Sequence, residues 1–127
     1  MEIDKKHILN VADTIRKQLI ALTPQNVLLS WGISNLAATI CENMPALRFL
    51  VNGRLHKGIV IVALNEGTDY YEIFLQNKDG KKKVAEDLDF TQFSDFIDRT
   101  IERGENEAEY NAFIAEERRK LFMGQVS

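Results

Sequence analysis

At 127 residues, with 45% apolar and 28% charged side chains, this chain has the composition of a folded domain rather than a disordered segment. Sixteen basic against nineteen acidic side chains leave a net charge of −3, which removes any general attraction to nucleic acid or anionic membrane. The single cysteine, Cys41, excludes an internal disulfide, and no stretch approaches the roughly 20 apolar residues of a bilayer span.

Ile8, Val11, Ala12, Ile15, Leu19 and Leu22 recur every three or four residues, which predicts an amphipathic helix over 4–22. Residues 1–6 and the polar-interrupted stretch after them lack the apolar segment of a secretory signal, so a cytoplasmic protein is expected. Thr23-Pro24 ends the helix, because proline disfavours helical backbone at the residue before it. Thr23 could equally cap a short second helix with Pro24 at its first position. Between 27 and 46 the signals conflict: Trp31-Gly32 interrupts an apolar run, and 35–41 suits a helical turn or an edge strand.

From 47 to 88 the pattern changes to period two. Leu47, Phe49 and Val51 alternate with Arg48, Leu50 and Asn52, which predicts a strand with one buried face. Two registers compete for its return. Asn52-Gly53 is the preferred turn and pairs Val51 with Arg54, Phe49 with His56 and Arg48 with Lys57. The rival turn is His56-Lys57-Gly58, which keeps Leu47, Phe49, Val51 and Leu55 on one face. Residues 59–64 are apolar on both faces and predict a central strand covered on two sides. After Asn65-Glu66-Gly67, residues 70–76 form a third strand. Asn77-Lys78-Asp79-Gly80 then turns the chain into a more polar fourth strand over 81–88, at the sheet's edge.

Thr91 suits an N-cap for a helix carrying Phe93, Phe96, Ile97 and Ile101, with Phe90 stapled back on its first turn and Gly104 as its stop. A last helix over 106–123 puts Tyr110, Phe113, Ile114 and Leu121 on one stripe. Glu105, Glu107 and Glu109 lie at its start and Arg118, Arg119 and Lys120 near its end, which complements the helix dipole. The expectation is a single α+β domain over 1–127. It has a four-stranded antiparallel β-meander, one N-terminal helix and two C-terminal helices.

Trp31-Gly32, Leu47-x-Phe49-x-Val51-x-Gly53, His56-Lys57-Gly58 and Asn65-Glu66-Gly67-x-Asp69 cover about the central third of the chain. There the sequence resembles a family of short bacterial proteins built on a domain of unknown function. The resemblance implies a bacterial, cytoplasmic origin and one compact domain. It implies no activity, cofactor or catalytic residue.

No enzyme signature is present: no catalytic residue, cofactor motif or metal-ligand cluster emerges. His7 and His56 are far apart in sequence, and His7 reads as an exposed helix-flank residue. Cys41 with His56 would make a nucleophile and base, but a small apolar thiol is the plainer reading of Cys41. Glu86-Asp87-Leu88-Asp89 lacks the glycine and ligand spacing of a calcium loop. Gly53, Gly58 and Gly67 sit in hairpins, not at strand-to-helix phosphate cradles.

Three functions remain, in order. The first is a non-enzymatic protein-interaction or assembly module whose partner is itself or another protein. In the preferred register Leu50, Leu55, Ile59 and Ile61 share a sheet face that helices need not cover, and an exposed aliphatic face marks a contact such as a homodimer. On this reading Ile61→Asp weakens association and leaves the monomer folded. The second is a nucleic-acid-binding module using Arg48, Arg54, Lys57, Tyr70, Lys81, Lys82 and Lys83, although edge lysines also discourage aggregation. The third is a small-ligand pocket lined by Trp31, Phe49, His56 and Tyr71. A fully packed interior around Trp31 counts against that pocket.

Overall fold

Residues 4–126 are described by the computed structural model, and the part of the N-terminal reading that rests on residues 1–3 lies outside them. The Asp4 side chain accepts a hydrogen bond from Lys6 N (3.2 Å) and starts α1 (Lys5–Leu22), which buries Ile8, Ala12, Ile15 and Leu19. Thr23 is extended, as the following proline requires, and α2 (Gln25–Trp31) begins at once behind Pro24. Thr23 does not cap α2; its hydroxyl lies 2.5 Å from Ser94 Oγ. Gly32 closes α2 with φ of 60°, a left-handed conformation that glycine adopts without strain.

Five strands follow: β1 (Ser34–Cys41), β2 (Met44–Asn52), β3 (Lys57–Asn65), β4 (Tyr70–Asn77) and β5 (Gly80–Leu88). They form one antiparallel meander in sequence order. The expected four-stranded sheet gains a fifth member because the ambiguous stretch before β2 is an edge strand. It returns through Glu42 and Asn43, whose φ of 50° and 63° match the two central positions of a type I′ turn.

The first expected hairpin also changes. Val51 pairs with Gly58 and Arg48 with Ile61, so residues 53–56 form a four-residue connection rather than either expected turn. The cause is long-range. Leu55 N and His56 N both donate to Ile101 O (2.7 and 3.3 Å), and Arg54 reaches the carbonyls of Glu102 (3.0 Å) and Arg103 (2.8 Å). This loop docks the C-terminal helices onto the sheet, and that contact overrides the local preference of Asn-Gly for a tight turn.

α3 (Phe93–Asp98) buries Phe93 and Ile97. Thr91 does not cap it; its hydroxyl donates to Asp89 Oδ1, and Phe90 is 49% exposed rather than stapled. The helix runs on into a π-helical turn, 99–103, that buries Ile101 and Glu102. Gly104 N closes that turn on Arg99 O (2.9 Å). α4 (Glu107–Val126) is about 30 Å long and mainly exposed over its described side chains. Tyr110, Phe113 and Ile114 are half-buried, whereas Leu121 at the expected stripe's far end is 65% exposed. Arg54 stacks 5.4 Å from both the Tyr110 and Phe113 rings and so holds the base of α4.

The main core lies on one sheet face. There Ile15 and Leu19 of α1, Trp31 of α2, and Phe93, Ile97 and Ile101 meet Phe49, Val60, Val62, Tyr71 and Ile73. Tyr71 and Phe93 pack edge to face at 5.3 Å. Trp31 Nε1 donates to Asp98 Oδ1 (2.8 Å), which ties α2 to α3.

β3 is central and buried on both faces, as its apolar sequence requires, but among the described residues no second set of helices covers the other side. Cys41, Ala46, Ile61, Ala63 and Phe74 form a smaller core there. Flat sheet geometry would put β1 and β5 about 19 Å apart. Instead Lys81 Nζ, on β5, lies 3.7 Å from Cys41 Sγ and 3.3 Å from Glu42 Oε1 at the far end of β1. The sheet therefore coils until its diagonal corners meet across a concave face. Small Ala46 and Ala63 allow that curvature, and the Lys81 ammonium lies over Phe74, 5.7 Å from the ring centroid.

Candidate functional site

The sheet-face residues separate once the register is known. Ile61 is buried to 5% exposure on the concave face, with half-buried Leu50 and Ile59 beside it. Leu55 does not share that face; it sits in the 53–56 connection and is half exposed. The coil, together with the stems of Lys81 and Arg48, closes much of the surface that the sequence leaves open.

The basic residues scatter likewise. Arg54 anchors the helices, Lys81 meets Cys41 and Glu42, and Lys83 bridges Glu72 and Glu86, each at 3.3 Å. Arg48 is half-buried on the concave face, Lys57 is exposed at the start of β3, and Lys82 points to the opposite side from Lys81 and Lys83. Tyr70 is exposed at the other end of β4. These side chains do not line one continuous track.

Of the four pocket residues, Trp31, Phe49 and Tyr71 belong to the solid main core. His56 stands apart, half-buried, with Nε2 3.2 Å from Ile59 O on the wall of an open cleft of about 550 Å³. Cys41 meets a lysine rather than an imidazole, and burial pushes its thiol up from the usual range. His7 is exposed, as expected, and pairs with Glu66 at 2.8 Å. Among the described residues no group of three metal-binding side chains converges, and no helix is long and apolar enough to cross a membrane.

Glu102 has no forerunner in the sequence reading. It is buried at the π-helical turn, where, among the described residues, its carboxylate accepts only a long bond from Arg54 N (3.3 Å). Burial raises its pKa, and nearby Asp98 adds to the effect. A carboxyl group raised in this way supports the fold below its unfolded pKa and loses that support as pH rises through its folded pKa. Glu102→Gln should therefore be at least as stable as the parent at pH 7 and lose that advantage near pH 4. Urea midpoints at the two pH values measure this, and a variant weaker at pH 7 than at pH 4, relative to the parent, would contradict it.

The surface that stands out lies around β1. No residue of Ser34–Cys41 is charged, its outer half is exposed, and it forms a free edge of the sheet. The other edge, β5, carries Lys81, Lys82, Lys83, Glu86 and Asp87. Beside β1 runs a mainly apolar cleft of about 480 Å³, lined by Ile20, Leu28, Ile33 and Leu36 together with Thr23 and Gln25. Ile40, nearer the other end of β1, is 50% exposed.

One flank of α1 completes this surface. Tyr71 OH donates to Gln18 (2.6 Å) and His7 reaches Glu66, so that flank of the helix faces β4 and its hairpin. The opposite flank faces the β1 edge and carries Leu9, Asp13, Arg16 and Ile20, spaced by four, three and four residues. Arg16 and then Lys17 hold the Asp13 carboxyl below the usual range. The uncharged run was visible in the sequence, but it signifies an edge only once the strand is known to exist.

Comparison with family models, curated proteins and solved structures returned no match.

Proposed function

We propose that this protein is a non-enzymatic interaction module that accepts a strand against the β1 edge and apolar side chains in the cleft beside it. The carrying observation is the asymmetry of the two edges. Lysines on an edge strand repel added strands, and β5 has three in a row. β1 is an edge strand, so alternate backbone groups point away from β2, and among the described residues no other strand pairs with them. No residue of the strand is charged, and a mainly apolar groove lies beside it. Main-chain pairing with side-chain pockets alongside is the chemistry of strand addition. The concave sheet face serves this reading less well, because its aliphatic residues already bury one another. The dispersed basic residues and the filled interior around Trp31 give the nucleic-acid and small-ligand readings no comparable surface.

Ile40 is the residue to change, because it is exposed on β1 and its substitution leaves the core intact. Affinity capture from a cell extract should recover partner protein with the parent chain and with Lys82→Glu, but not with Ile40→Lys. Capture indifferent to Ile40→Lys would remove the β1 edge from consideration.

A further inference from the structure

We infer that the occupant of the β1 edge is a second copy of this chain, forming a two-fold dimer in which the sheets run on as ten strands and two α1 helices pack antiparallel above the join. The inference rests on the strand-addition reading and names its partner. It is carried by self-complementarity in two layers that share one axis.

The upper layer is the outer flank of α1. A two-fold axis passing between Thr14 and Ile15 sets Leu9 opposite Ile20 of the second copy, and Asp13 opposite its Arg16. The stripe reads apolar, acid, base, apolar, so each side chain meets its complement in both directions. Leu9 and Ile20 are 60% and 50% exposed, so both are free to meet a partner at that flank.

The lower layer is β1. The same axis through Ala38 sets Leu36 opposite Ile40 of the second copy on the face beneath α1, with Ala38 against its own counterpart. The axes coincide because Ile20 lines the cleft with Leu36, and Leu9 lies about 16 Å further along the helix, toward the Cys41 end of β1. Spacing agrees too. α1 packs on β1 and β2, and a helix seated over that pair of strands would stand about one strand spacing from the join. Two such helices stand about 10 Å apart, within the range of packed pairs. A register shift between Ser34 and Ala37, with Asn35 at φ of 54°, ends the regular ladder at Ala37, so Leu36 meets Ile40 of the second copy as a side-chain contact at the ladder's margin.

Light scattering after size exclusion, with the full chain over a concentration series, tests the dimer. The parent should have twice the monomer mass. Asp13→Arg sets Arg against Arg16 of the second copy, and Arg16→Asp sets Asp against Asp13, so each should raise the dissociation constant at least about tenfold. An equimolar mixture of the two variants should regain the dimer mass, because every charge then meets its opposite. Ile40→Lys should be monomeric with an unchanged circular dichroism spectrum.

A dimer that survives both charge reversals, or one lost on Leu50→Lys but not on Ile40→Lys, would overturn this geometry. So would a parent chain that stays monomeric. A monomer that still captures a different protein, and loses it on Ile40→Lys, would end the dimer alone and leave strand addition standing. Capture indifferent to Ile40→Lys would end both.

Discussion

Gly53→Ala is expected to lower the stability of this protein by about 2–4 kcal/mol, read as a fall in the urea midpoint without a change in slope. A Cβ at residue 53 would stand 2.4 Å from Ile101 O, a backbone atom that no rotamer change can move aside. Ile101 O is also the acceptor for Leu55 N and His56 N. Alanine must therefore push the π-helical turn off the loop, and the Arg54 bonds to Glu102 O and Arg103 O lengthen with it. Those groups are shielded from water, so bonds lost there are not replaced at full strength. Gly80→Ala supplies the comparison. Its Cβ meets nothing within 4 Å, and only the φ of 134° resists the side chain, so about 1 kcal/mol is expected. Equal effects at the two positions would mean that the loop is not the clamp described here.

The same loop marks where the sequence stops being legible. β3, β4, β5 and α1 follow from periodicity, because each buries a face whose spacing is set by its own backbone. Asn52-Gly53 carries a strong hairpin signal, yet the hairpin there is four residues long. Its backbone donors go to Ile101, 46 positions after Leu55, and no local pattern encodes that contact. The reverse error occurs at β1. A two-residue hairpin joins it to β2 through Glu42 and Asn43, without glycine, so the usual signal is missing where the tight turn is real. Asparagine tolerates positive φ, glutamate much less so, and the Glu42 contact with Lys81 across the coiled sheet helps to hold the turn. β1 is also the edge on which the proposed interaction surface depends, and with 35–41 open between a helical turn and an edge strand that surface has no outline in the sequence. The Leu9–Asp13–Arg16–Ile20 flank was present in the periodicity of α1, but a pattern search weights the buried stripe and passes over the one beside it.

Ile61→Asp should lower the stability of the isolated chain by about 3 kcal/mol, rather than leaving the monomer untouched as an exposed sheet face would imply. Ile61 is 5% exposed, between Arg48 on β2 and Phe74 on β4. Aspartate there removes aliphatic surface from the concave core and brings in a carboxylate among Ala46, Ala63 and Phe74. The Arg48 guanidinium, directly across the strand pair, offsets part of that cost, which keeps the effect below that of an unpaired buried charge. For a domain of this size, whose whole stability is of order 10 kcal/mol, such a loss brings the thermal transition down by several degrees. Ile40→Asp, on the exposed edge of β1, should leave the transition within about a degree of the parent when both are diluted until the parent too is monomeric, since only the stabilisation that association adds is lost. The pair separates two accounts of the aliphatic sheet residues. If Ile61→Asp melts with the parent while association is lost, the concave face is open and is itself the contact surface. If Ile61→Asp is destabilised and Ile40→Asp alone loses association, the concave face is an internal core produced by the coil, and partners meet the protein at its edge.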